Sequence, residues 1–202
     1  MNTILNQIRV AAVMLLVLTV LTGLAYPLLT TGIAQVAFHK RANGSLIVRN
    51  GKVVGSELIG QPFDDPKYFW SRPSATTPLA YNAAASAGSN LAVANPAELD
   101  AIRQRVAVLR TVDPQNTTLI PVDLVTASAS GLDPHISVAA AQYQVPRVAR
   151  ARQMSEAAVR QLVDKYTEGR QFGLIGEPRV NVLRLNLALD EAGVDGAPPE
   201  ER

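Results

Sequence analysis

The chain has 202 residues, 17 acidic and 19 basic side chains, a formal net charge of +2 and no cysteine. This near-neutral balance gives no electrostatic argument for a nucleic-acid partner. The missing thiols exclude disulfides, thiol chemistry and a lipidated-cysteine anchor.

Residues 1–9 form a short amino-terminal tail, and Val10–Ala34 then runs twenty-five residues without a charge. At about 1.5 Å per residue a helix of this length reaches roughly 37 Å, enough to cross a hydrocarbon core of about 30 Å with some tilt. A cleaved signal peptide would have a shorter apolar region of about 7–15 residues and a small-residue cleavage site after it. The run passes well beyond that, so it predicts one uncleaved transmembrane helix over 10–34. Thr19, Gly23, Pro27 and Thr31 recur every four residues on one helix face, beside a stripe of Thr22, Tyr26 and Thr30. Small and hydroxylated residues let another helix backbone come close, so Thr19, Gly23 and Pro27 are the candidate packing face toward other membrane subunits.

Residues 35–202 suffice for a single domain with its own core. Lys40, Arg41, Arg49 and Lys52 follow the span, whereas only the amino terminus and Arg9 precede it. Taken alone, the positive-inside rule would place this domain in the cytoplasm. Leu46–Arg49 and Lys52–Gly55 flank Asn50-Gly51, which predicts a β-hairpin on a type I′ turn. Gly55–Phe63 reads as a strand or loop ending in a Pro turn. Tyr68-Phe69-Trp70 groups three aromatic residues and predicts a strand anchoring a small core, with a docking surface as the alternative.

Tyr81–Leu91 is rich in Ala, Ser and Gly. Gly88, Ser89 and Asn90 could curl backbone amides around an anion, yet no Lys follows and the P-loop pattern fails. Asn95-Pro96-Ala97-Glu98 is a helix start with a cap. The following 3-4-3 spacing turns Leu99, Ile102, Val106 and Leu109 inward and leaves Arg103, Gln104 and Arg105 solvated, with the helix ending before Asp113-Pro114. Leu119–Thr126 reads as an edge strand or extended segment, given Pro121.

It leads into the densest set of reactive side chains: Ser128, Ser130, Asp133, His135 and Ser137. A membrane-anchored hydrolase using Ser130, Asp133 and His135 is one reading. Against it, the Gly-x-Ser-x-Gly elbow is absent and a triad rarely fits within so short a stretch. Two histidines, His39 and His135, are too few for a histidine-rich catalytic zinc site. The other reading is a turn-rich connection with Ser137 capping the next helix. Pro146 is expected to interrupt that helix, leaving Arg147, Arg150 and Arg152 as a small basic face. Ser155 caps a second amphipathic helix with Val159, Leu162, Val163 and Tyr166 inward. Gly176-Glu177-Pro178 turns into a strand over Val180–Leu183, and Asn186–Ala192 closes the domain as a short helix. The predicted class is a single N-terminal transmembrane helix followed by an α+β soluble domain over 35–192. Residues 193–202 have the composition of a disordered tail.

Five stretches carry a resemblance: GSELIGQPF (55–63), YFWSRPSA (68–75), SGLDPHIS (130–137), QVPRVARAR (144–152) and GEPRVNVLRLNLAL (176–189). Together and in this order, over nearly the whole chain, they resemble the C subunit of the Kdp-type potassium-transporting P-type ATPases. Ala87 and Val138 depart from the pattern, where a second Gly and a Pro are common. The resemblance implies an accessory subunit of a bacterial inner-membrane complex, with no chemistry and no bound cofactor of its own. Its implied partners are a channel-like A subunit that selects potassium, an ATP-hydrolysing B subunit, a small F subunit where present, and membrane lipid. ATP and potassium ion act through those partners. The family is described as a catalytic chaperone that raises the ATP affinity of the B subunit, and its soluble domain is placed on the extracytoplasmic, periplasmic side. That placement opposes the local charge bias and is the one expected here.

Overall fold

The computed structural model describes residues 2–195, with side chains from Thr3 to Ala192. It divides into one unit ending at Leu46 and another beginning at Ile47.

The first unit is one long apolar helix, α1 (Asn2–Val20) continuing through a wide π turn (Leu21–Ala25) into α2 (Tyr26–Ala37), then a single turn, α3 (His39–Ala42). The stretch Thr3–Ala37 is long and apolar enough to cross a membrane, and none of its most apolar window is buried by the rest of the chain. The helix is thus longer at both ends than the uncharged run. Pro27 explains the π turn. Having no N–H, and with a ring that crowds the carbonyl four residues back, it breaks the regular bonding. The ladder slips by one residue, and the Tyr26 amide donates to the Leu21 carbonyl instead. Thr22 and Thr30 return their hydroxyls to the carbonyls of Leu18 and Tyr26, at 2.7 and 3.0 Å, so these polar groups are satisfied within the helix.

The second unit begins within β1 (Leu46–Arg49), which forms the expected hairpin with β2 (Lys52–Ser56). Asn50 and Gly51 have φ of 49° and 74°, as the type I′ turn requires. The main sheet is three-stranded and antiparallel, in the order β3 (His135–Ser137), β5 (Arg179–Asn181), β4 (Thr167–Glu168). Its register pairs Ile136 with Val180, both sealed in the core; His135, Ser137 and Arg179 beside them are partly exposed, and Asn181 is buried. Helices α4 (Pro96–Val112), α5 (Val138–Arg152), α6 (Glu156–Lys165) and α7 (Val182–Asp195) complete the domain. Val145, Val148, Val159, Val163, Leu185 and Leu189 form the centre of the core.

The caps on α4, α5 and α6 match the sequence: Asn95, Ser137 and Ser155 each accept a first-turn amide. Other expectations fail. α5 runs unbroken through Pro146, because the buried residues on both sides of it (Val145, Val148 and Ala149) hold the helix against the roughly 3 kcal/mol cost of an interior proline. The strand expected over Val180–Leu183 stops at Asn181, whose side chain accepts the Arg184 amide at 3.1 Å and starts α7 early. Leu119–Thr126 contains a 3-10 turn (Val122–Leu124) rather than a strand. On α4, Leu99 remains exposed, and Arg105 turns back to donate to the Val125 carbonyl at 2.8 Å. Within the tail expected to be disordered, the α7 backbone continues to Asp195, and residues 196–202 lie outside the described residues.

Candidate functional site

Tyr68-Phe69-Trp70 forms no strand. Two amide side chains from neighbouring helices satisfy its backbone instead. Asn186 on α7 accepts the Phe69 amide at 2.8 Å and donates to its carbonyl at 2.9 Å. Gln144 on α5 does the same for Trp70, at 2.8 and 3.2 Å. Both amides are buried, as is the Phe69 ring. They replace the missing strand partner, which is why an aromatic run could be mistaken for a strand.

The predicted basic face on α5 is largely drawn into internal contacts, with Arg150 alone of its three arginines exposed. Arg147 is buried, stacks over Trp70 with its guanidinium carbon 4.5 Å from the ring centroid, and donates to the Gln144 side chain at 2.7 Å and to the Pro66 carbonyl. Burial lowers its pKa to about 10, so it stays charged at neutral pH. Arg150 pairs with the buried Asp113, and Arg152 pairs with Asp190 at 2.7 Å while lying over Tyr68. These three cations tie the aromatic segment and the end of α4 to α5.

The segment then meets the Ser128–Ser137 turn. Arg72 and Asp133 form an ion pair at 2.8 Å. The Ala75 amide donates to Ser128 O at 2.8 Å, and the Ser128 amide to Pro73 O at 2.7 Å. The Tyr81 hydroxyl donates to the Arg72 carbonyl at 2.8 Å, and burial raises its pKa to about 12. Gly60 lies where a Cβ would come within 2.6 Å of Asp133 O, and Gly131, at φ +64°, where one would come within 2.5 Å of Asn82 O. Both positions exclude larger residues. Stretches 55–63, 68–75 and 130–137 therefore form one junction, and 144–152 and 176–189 hold it from below through Gln144, Arg147 and Asn186.

The anion-cradle residues Gly88, Ser89 and Asn90 border the same junction. A Cβ at Gly88 would sit 3.1 Å from that of Ala129, so its small size serves packing, and Ser86 donates to the Ser130 carbonyl. The Ser89 hydroxyl accepts the Leu91 amide at 3.4 Å.

The geometry does not assemble a triad. Asp133 binds Arg72 and accepts the His135 backbone amide at 3.3 Å. Ser128 and Ser130 approach each other at 3.4 Å, and Ser130 accepts the Leu132 amide at 3.0 Å. Among the described residues, no hydrogen bond joins either serine or Asp133 to the His135 ring. The ring faces Glu168 at 3.9 Å, which also receives Arg179 at 3.2 Å and Arg184 at 3.6 Å. Nor do three His, Asp or Glu side chains converge as a metal site would need among the described residues. A cleft of about 490 Å³ lies between Phe63, Trp70 and Tyr81 on one side and Gln104, Arg105 and Val108 on the other. The polar ends of Trp70, Tyr81 and Arg105 are already bonded to backbone carbonyls.

His135 supplies a pH prediction. Burial, then Arg179, pushes its pKa below the usual histidine value, with Glu168 and Asp133 opposing and Arg184 assisting. Its folded pKa is lower than its unfolded one, so protonation favours the unfolded chain. The stability is present above the unfolded value of about pH 6.5 and is lost as pH falls from there through the lower folded pKa. His135→Gln should flatten the fall in urea midpoint between about pH 7 and pH 5, read from Trp70 fluorescence. An unchanged slope would assign the acid sensitivity elsewhere.

Fold and site together define a membrane-anchored α+β domain whose most distinctive residues are spent on an internal junction. A family profile described as KdpC, the K+-transporting ATPase c chain, matches residues 8–191. A potassium-transporting ATPase KdpC subunit of Methylococcus capsulatus is 64% identical over 92% of this chain and 98% of its own length. One of Sorangium cellulosum is 63% identical, over 93% and 99%. The chain belongs to the KdpC family.

Proposed function

We propose that this chain is a non-catalytic accessory subunit of an ATP-driven, high-affinity potassium uptake complex of the bacterial inner membrane. In this reading α1 and α2 anchor it, the domain faces the periplasm, and it assembles with a channel-like A subunit, an ATP-hydrolysing B subunit and a small F subunit. It stabilises that assembly and promotes ATP binding and turnover by the B subunit, acting as a catalytic chaperone. ATP and potassium ion act through the partners. The observation carrying this reading is the junction itself: Asp133 is committed to Arg72 while the His135 ring faces Glu168, which suits a fixed docking shape and not a hydrolase.

The span is the proposed attachment. At Gly23 an added Cβ would meet only a Thr19 methyl at 4.0 Å, so nothing inside the chain demands glycine there. Its small size, with Thr19 and Pro27, serves a neighbouring helix. Interhelical contacts in lipid are worth only about 0.6–2 kcal/mol each, so a complex breaks when several fail together. Gly23→Leu should reduce co-purification of partner subunits in mild detergent, with Leu21→Ala as the tolerated control after equal insertion is verified. Equal recovery from both would move the attachment to the soluble domain. Orientation is read from an introduced cysteine and an impermeant thiol reagent. Ser45, next to the span, is buried, so exposed Lys52 is the position to use. Labelling only after the inner membrane is opened would place the domain in the cytoplasm.

A further inference from the structure

Between β4 and β5 the chain makes a tight hairpin that the core does not use. Gln171 and Ile175 exchange backbone hydrogen bonds of 2.8 and 3.0 Å, and the Leu174 amide adds a bond to Gln171 O at 3.1 Å. Arg170 binds both carboxylate oxygens of Glu177 at 2.9 Å across the base. On this braced stem Phe172, Leu174 and Ile175 are 93%, 81% and 63% exposed. Phe172 is also held at φ +53°, a left-handed conformation unfavourable for a bulky side chain. Residues 169–178 are all exposed, and outside the three apolar side chains they are Gly, Arg, Gln, Glu and Pro. The apolar surface is therefore a projecting point, not part of a broad patch.

We propose that this tip inserts Phe172, Leu174 and Ile175 into the interface of the bilayer that anchors the chain. Three such side chains offer on the order of 400–500 Å², about half of the roughly 800 Å² that each partner contributes to a standard protein interface. For a domain already tethered, a small apolar insertion suffices, because the second contact forms at high effective concentration. The tether is short: the residues between Ala37 and Leu46 span roughly 30 Å at full extension. Arg170 and Glu177 behind the tip form a neutral pair at headgroup depth, so insertion needs no particular lipid charge.

The chain contains no cysteine, so one site can be labelled at a time. Full-length Phe172→Cys carrying an environment-sensitive fluorophore is reconstituted into phosphatidylethanolamine–phosphatidylglycerol vesicles bearing a quencher on the lipid tail. Arg103→Cys on exposed α4 is the control. The tip label should be blue-shifted and quenched severalfold more than the control. With Ile175→Cys as the labelled site, adding Phe172→Ser and Leu174→Ser should return quenching to the control level; all three positions are exposed, so the fold is kept. Control-level quenching at Phe172→Cys would overturn the proposal. Shielding from aqueous iodide only in the presence of partner subunits, without lipid quenching, would also overturn it and assign the tip to a protein contact.

Discussion

Asn186→Ala should lower the unfolding free energy of the soluble domain by about 2–6 kcal/mol. The asparagine is buried, and among the described residues it alone satisfies the Phe69 amide and carbonyl. Alanine leaves both backbone groups without a partner, at about 1–3 kcal/mol each. Since small domains are stable by only about 5–15 kcal/mol, this is a large fraction of the whole. Trp70, the only tryptophan in the chain, adjoins the lost bracket, so its fluorescence reports the transition in urea directly. Asn95→Ala, which removes one exposed helix cap, should cost about 1 kcal/mol and serves as the scale. If the two variants shifted the midpoint equally, the bracket would not be what holds the aromatic segment.

Phe69→Ala acts on the same segment by another route. Its ring is fully buried in the core, so truncation should cost about 3–5 kcal/mol through lost transfer energy and the cavity left behind. The stretch from Glu57 to Asn82 has no named strand, so it is held by that ring, the two amide brackets, the Arg72–Asp133 pair, the Arg147 bond to Pro66 and a single backbone bridge to Ser128. Limited proteolysis should therefore cut between residues 57 and 82 at a urea concentration that leaves α5 and α6 protected. Cleavage appearing everywhere at once would make the segment part of one cooperative unit. Phe69 and Asn186 touch, so the double variant should fall short of the sum.

Where local chemistry decided the structure, the sequence was legible. Asn50-Gly51 demanded a type I′ hairpin, and Asn95, Ser137 and Ser155 started helices because their side chains accept the first free amides. It became illegible where a distant partner decided. Pro146 reads as a break until the packing around Val145, Val148 and Ala149 is known. Arg147, Arg150 and Arg152 read as a small basic face, yet their partners lie far off in sequence at Pro66, Asp113 and Asp190. The same applies to Asn186 and Gln144, ordinary helical residues by spacing, whose buried amides stand in for a strand. Their position inside the recognisable 144–152 and 176–189 stretches was the signal available. Ser130, Asp133 and His135 are close in sequence, but the ion pair to Arg72 and the Glu168 cluster turn their side chains to different partners.

The accessory-subunit account is tested most directly by potassium-stimulated ATP hydrolysis, measured on the complex purified with and without this chain and on the chain alone. The account predicts stimulated hydrolysis only when the chain is present, a higher ATP requirement or lost activity without it, and none from the chain by itself. Full potassium-stimulated activity in its absence, or hydrolysis by the isolated chain, would contradict it.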